Sequence, residues 1–241
     1  MGHPAKARGA PLPVPAPTPL PRPCPAPIAD LRFRALMPRG QWDALPEATR
    51  RRFGRRLGPG EAIVYRGITE HTRMNAAGKL LARLARLIGA PLPLPGLTDG
   101  GAAVVTVTEA ADGAGGGQFW TRQYARAHRF PQVVHSAKGF GGPTGLEEVV
   151  GGGVGMALTI RARGGVLLFE DAGYFVRALG RRLPLPRAVL PRLTVGHEDL
   201  AATHGEGFAF TLSLTHPLCG TLIDQRCVFT ETRRAARGDQ A

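Results

Sequence analysis

From Val104 to Thr230 the chain repeats one kind of segment, in which apolar and polar residues alternate in runs too short for helices and separated by glycine-rich turns. Met156, Leu158 and Ile160 alternate with Ala157, Thr159 and Arg161. Phe208, Phe210, Leu212 and Leu214 alternate in the same way with Ala209, Thr211, Ser213 and Thr215. A period of two puts each set on its own face of a strand, one buried and one wet. The same grammar predicts strands over 62–70, 104–110, 118–125, 130–137, 145–150, 155–162, 166–171, 174–179 and 221–230. No helix recurs between them, so the crossovers of a parallel sheet are missing and neighbours must pair antiparallel. The predicted fold is α+β and predominantly antiparallel β: one curved sheet or partly closed barrel of about 8 to 10 strands, since a sheet that size curls or closes.

One amphipathic helix is expected to pack on it, over 74–89. At about 100° per residue, Leu80, Leu81, Leu84, Leu87 and Ile88 fall on one side, and Lys79, Arg83 and Arg86 on another. The leucine stripe is expected to cover the concave face or one end of the sheet. Arg83 and Arg86 then face water, or a membrane surface if the helix meets one.

Outside this region the chain reads differently. Every second residue from Pro11 to Pro27 is proline, which makes residues 1–30 a stiff, disordered polyproline-II leader. Residues 31–60 read as a short helical lead-in, its helix over 42–56 entered at Pro46 and stopped near Gly58-Pro59-Gly60. Arg50, Arg51, Arg52, Arg55 and Arg56 form its solvated face. Residues 61–231 make the single sheet domain, and 232–241 a disordered tail. The net charge is +13, concentrated toward the two ends, and nearly all of the positive charge is arginine. Without a basic folded face or a recognisable module, no specific nucleic-acid partner is expected. Cys24, Cys219 and Cys227 match neither a disulfide framework nor a zinc site, so reduced thiols and a cytoplasmic location are expected.

Chemical motifs are sparse. The loop GGGVGMA at 151–157 precedes a strand rather than a helix, so it offers no phosphate cradle. Ser136 and Ser213 are the only serines, and neither stands in a nucleophile elbow. His197 and Asp199 share a face if they lie on a strand; with His204 they are the candidate acid/base or metal group, against a plain polar rim. No metal or cofactor is expected. Trp120, Phe140, Met156, Phe175, Phe208 and Phe210 are the candidate core or pocket-lining residues, because a sheet curled around a helix leaves a mouth walled by its apolar face.

The stretches GKLLARLARLIGAPLP (78–93), GLEEV (145–149), LGRRLPLPRAVLPRL (179–193) and GFAFTLSLTHPLCGTLIDQRCVF (207–229) resemble a bacterial family of domains of unknown function, number 4166, over residues 40–230. The most specific pieces are Leu183-Pro184-Leu185-Pro186 with Leu190-Pro191, and His216-Pro217-Leu218 with Gly220. Gln225-Arg226-Cys227 departs from the aromatic-Arg-Gly pattern of that family. The resemblance implies a bacterial origin and transfers no active site. Members joined to a saccharopine-dehydrogenase-like domain suggest one role, as an accessory module of such an oxidoreductase partner. The leading expectation is non-catalytic binding of a hydrophobic or lipid-like small molecule. An enzyme built on His197, Asp199 and His204 is the third reading.

Overall fold

Ten of the strands find an antiparallel neighbour on both sides in the computed structural model, which describes residues 28–58, 61–89, 91–110, 116–200 and 207–232. The proline-alternating leader, the C-terminal tail and His204 lie outside these residues. Two short strands, β1 (Ile28–Ala29) and β2 (Arg55–Arg56), pair with each other. The long ones are β3 (Ala62–Met74), β4 (Ala102–Ala110), β5 (Gly117–Arg126), β6 (Arg129–Gly139), β7 (Glu147–Gly151) and β8 (Val154–Arg163). They continue with β9 (Val166–Ala178), β10 (Arg181–Pro184), β11 (Arg192–Asp199), β12 (Gly207–His216) and β13 (Gly220–Glu231). From β9 the ring runs through β11, β12, β13, β3, β4, β5, β6, β7 and β8, and β8 closes it on β9. This is a ten-stranded antiparallel barrel; β10 is an extra strand along the last four residues of β9. Closure leaves no long edge unpaired, which is how a sheet of this width avoids edge-to-edge association.

The lead-in closes one end of the barrel. Helices α1 (Arg32–Ala35), α2 (Arg39–Asp43) and α3 (Glu47–Phe53) replace the single helix expected over 42–56. The break falls at Pro46, because a proline disfavours helical geometry in the residue before it. Phe33, Trp42, Leu45 and Phe53 are buried in the barrel's core, and Phe33 packs edge-on against Phe53, Phe140 and Phe169. The arginine cluster is therefore not simply a solvated face: the Arg52 guanidinium lies 3.9 Å over the Phe208 ring.

Helix α4 (Ala76–Leu84), prolonged by a 3-10 turn over Ala85–Ile88, crosses the opposite end. Asn75 caps it, accepting from Gly78 N at 2.8 Å and donating to the Cys219 carbonyl at 2.8 Å. The face it buries differs from the expected one. Gly78, Ala82 and Ala85 are buried, whereas Leu80, Leu84 and Leu87 are 57%, 54% and 85% exposed. The cause is close approach. A Cβ on Gly78 would collide with the Leu222 carbonyl, so the helix backbone seats directly on β13 through its smallest residues. Bulky leucines on that face would hold it away. Leu81 and Ile88, half-buried, turn toward the mouth of the barrel. No helix among the described residues is long and apolar enough to cross a membrane.

Candidate functional site

Alternation decides which side chains enter the barrel. Trp120, Arg122 and Tyr124 of β5 share one parity, as do Val134, Ser136 and Lys138 of β6, and both sets point inward. With Glu148 of β7, Met156 and Leu158 of β8, Phe169 of β9, Val195 and His197 of β11 and Phe210 of β12 they line a cavity of about 200 Å³. A single water needs only about 10–15 Å³ by the same kind of measure, so this is more than a packing defect, while it is smaller than the roughly 300–1,000 Å³ of ordinary ligand pockets and would hold part of a long molecule. Its mouth lies at the α4 end, framed by Leu81, Ala85, Ile88, Leu92, Val154 and Leu190. These residues are all apolar. The polar groups lie deeper.

Deep inside, Lys138 Nζ donates to Glu148 Oε2 at 2.8 Å, and Arg122 lies 3.7 Å from the other carboxylate oxygen. Arg122 also donates to Ser136 Oγ at 3.0 Å. Both cations rest near the Trp120 ring, Lys138 at 5.2 Å and Arg122 at 5.7 Å from its centre. Burial opposes charge on Glu148, but Lys138 and then Arg122 outweigh it and bring its carboxyl down to about 2. Burial is also the main cause at Lys138, and with repulsion from Arg122 it lowers that ammonium despite the pull of Glu148. The trio has two cationic side chains and one carboxylate. Its charge is uneven.

His197 forms the floor beside this trio, surrounded by the rings of Phe53, Trp120, Phe169, Phe208 and Phe210 at 4.9 to 6.2 Å. Burial, followed by repulsion from Arg52, Lys138 and Arg122, drives its pKa well below the ordinary histidine value of 6.5, so the imidazole is neutral. Its Nδ1 has no hydrogen-bond partner among the described residues, and neither has Oε1 of Gln225, another lining residue. A group whose folded pKa lies below its unfolded one costs stability as the unfolded chain takes up its proton. Stability is therefore expected to fall as pH drops below 6.5, with a contribution approaching about 1.4 kcal/mol per pH unit from this residue. Urea unfolding at stepped pH should show that slope in the native protein, and His197→Phe should remove it.

The six candidate lining residues separate into two groups. Trp120, Met156 and Phe210 line the cavity, and Phe208 stacks on His197 beside a smaller adjoining void. Phe140 does not line it; Phe140 lies at the closed end between Phe33 and the Arg32 guanidinium. Phe175 also faces away, because a bulge pairs Met156 with Tyr174 but Leu158 with Asp171. The extra residue inverts the parity of β9, turning Tyr174 inward and putting Phe175 under Arg177 and Arg182. Asp199 closes β11 beyond His197, opposite Phe208. No group of three or more histidine, cysteine, aspartate or glutamate side chains that could hold a metal occurs among the described residues.

No curated protein matches this chain. One family model does, over residues 45–229, which takes in α3, the barrel up to the last two residues of β13 and every cavity-lining residue named above. The chain belongs to the family described as Domain of unknown function (DUF4166).

Proposed function

We propose that the barrel is a non-catalytic receptor for one lipid-like acid, bound head-first. The observation that carries this reading is the distribution of polarity in the cavity: an apolar mouth leading to an ion cluster in which Arg122 and Lys138 outnumber Glu148. A buried cation without a full counter-charge is costly, and an entering anion relieves that cost. The apolar walls would take the tail, since ligand sites are typically mostly hydrophobic with a few convergent polar groups. Nδ1 of the neutral His197 adds a donor to a carboxylate in the tautomer that carries the ring proton there, whereas Oε1 of Gln225 can only accept, as from a hydroxyl on the ligand. Hemmed in by five rings, His197 serves as wall and hydrogen-bond partner.

The test is direct. Protein purified under native conditions should release a hydrophobic acid detectable by mass spectrometry, and the emptied barrel should take up a fluorescent long-chain fatty acid. The methyl ester of that probe should bind more weakly, because esterification removes the charge that Arg122 and Lys138 would meet. Absence of any co-purified apolar compound together with no probe uptake would overturn the reading.

A further inference from the structure

Chain direction places α4, the β5–β6, β7–β8 and β12–β13 turns, the β9–β10 turn and the 185–191 segment all at the open end of the barrel. They form one rim. The end of the 3-10 turn rests on the β7–β8 turn, where Ile88 meets Gly151 and Gly152, and Asn75 ties α4 to the β12–β13 turn. Gln132 of β6 holds the 92–94 backbone through bonds of 2.8 Å to the Leu92 carbonyl and 2.7 Å from the Leu94 amide.

This rim exposes large apolar side chains that the fold does not use. Leu179 is 100% exposed, Phe130 92%, Leu218 89% and Leu87 85%, and all four stand at this end. Leu80, Leu84, Leu183 and Val189 add to them. Leu179 also has a left-handed backbone, φ 51, which a branched aliphatic residue rarely adopts. On α4 the exposed leucines adjoin exposed Lys79, Arg83 and Arg86, and no ion pair neutralises these three cations among the described residues. Leucines flanked by arginines on the outward side of a helix are the arrangement that lies in a lipid headgroup plane.

We propose that this rim docks the barrel, mouth first, on the surface of an anionic lipid bilayer. Charge selects that occupant over a second copy of the chain, since two such rims facing one another would oppose their cations. Leu80, Leu84, Leu87, Leu179 and Leu218 enter the headgroup region, while Lys79, Arg83 and Arg86 meet lipid phosphates. Docking stands independently of the cargo, for it needs only the outer surface of the rim.

Flotation with vesicles of phosphatidylcholine alone, and of phosphatidylcholine mixed with phosphatidylglycerol, tests it on the full chain. The protein should float with the anionic vesicles, far less with the neutral ones, and be released by salt. Arg83→Gln with Arg86→Gln should weaken binding about 25-fold, at about fivefold for each charge near an anionic surface. Leu84→Gln with Leu87→Gln should weaken it by about tenfold per leucine. These positions are exposed, so folding should be unaffected, and unchanged melting temperatures would verify that. Arg34→Gln with Arg39→Gln, exposed at the opposite end, should bind as the native protein does. No binding to anionic vesicles, an equal loss in the Arg34/Arg39 variant, or a solution dimer broken by the rim variants would each overturn the proposal.

Discussion

Arg122→Met is expected to weaken binding of a long-chain carboxylate by about 2–5 kcal/mol, or about thirtyfold or more, while its methyl ester binds as before. The asymmetry follows from the charge count in the cavity. Arg122 supplies the cation in excess of the Lys138–Glu148 pair, which is bonded at 2.8 Å. Removing it leaves a neutral pair and no orphaned charge, so the empty barrel should stay folded. Methionine fills much of the same volume with a flexible apolar chain and keeps the Trp120 side of the cavity packed. Titration of a fluorescent fatty acid and of its ester into both proteins measures the difference. Equal losses for acid and ester would mean that Arg122 shapes the wall without reading a head group, and the receptor reading would lose its main support.

The barrel was legible in the sequence because its signal is local. Alternation in segments such as 155–162 and 208–215 fixes which face is buried without knowledge of the partner strand, and the absence of crossover helices fixes antiparallel pairing. What depends on distant partners was not legible. Leucine periodicity pointed to the wrong side of α4, because seating through Gly78, Ala82 and Ala85 is decided by the Leu222 backbone, 144 residues away in sequence (222 − 78). One extra residue in β9, at Ala172–Gly173, reversed Phe175, and its one local mark is Gly173 with a φ of 123°, a glycine that in sequence reads equally as a break between two strands.

The ion cluster illustrates the boundary more sharply. Arg122 has the parity of Trp120, and Lys138 that of Val134, so their inward orientation was implied by the strands themselves. The prior that charges face water hid them, since a charge is rarely fully buried unless it is paired. Their pairing with Glu148 requires β5, β6 and β7 to be neighbours in register, with Lys138 opposite Glu148 and Arg122 opposite Val134. That is tertiary information. An inward charged position on a strand otherwise rich in core residues was the one available clue, and it is also where a functional site departs from the pattern of its fold.

Glu148→Gln should be the most damaging change in the cluster for stability, costing about 3–5 kcal/mol, because it strands Arg122 and Lys138 in a buried space without a carboxylate. Pairing it with Lys138→Met removes one cation as well and should recover a large part of the loss. Acid should reproduce the single substitution. The Glu148 carboxyl is depressed from 4.5 to about 2 in the folded protein, so its stabilisation is fully present above the unfolded value and disappears as pH falls through the folded one. The gap corresponds to about 3 kcal/mol. The loss from His197 begins earlier, at pH 6.5, and runs on downward to its depressed folded value. Urea unfolding from neutral pH downward should therefore show two onsets of loss, the earlier removed by His197→Phe and the later by Glu148→Gln. A Glu148→Gln protein as stable as the native one at neutral pH would show that the two cations are relieved by solvent, and the case for a head-group charge in the cavity would fall with it.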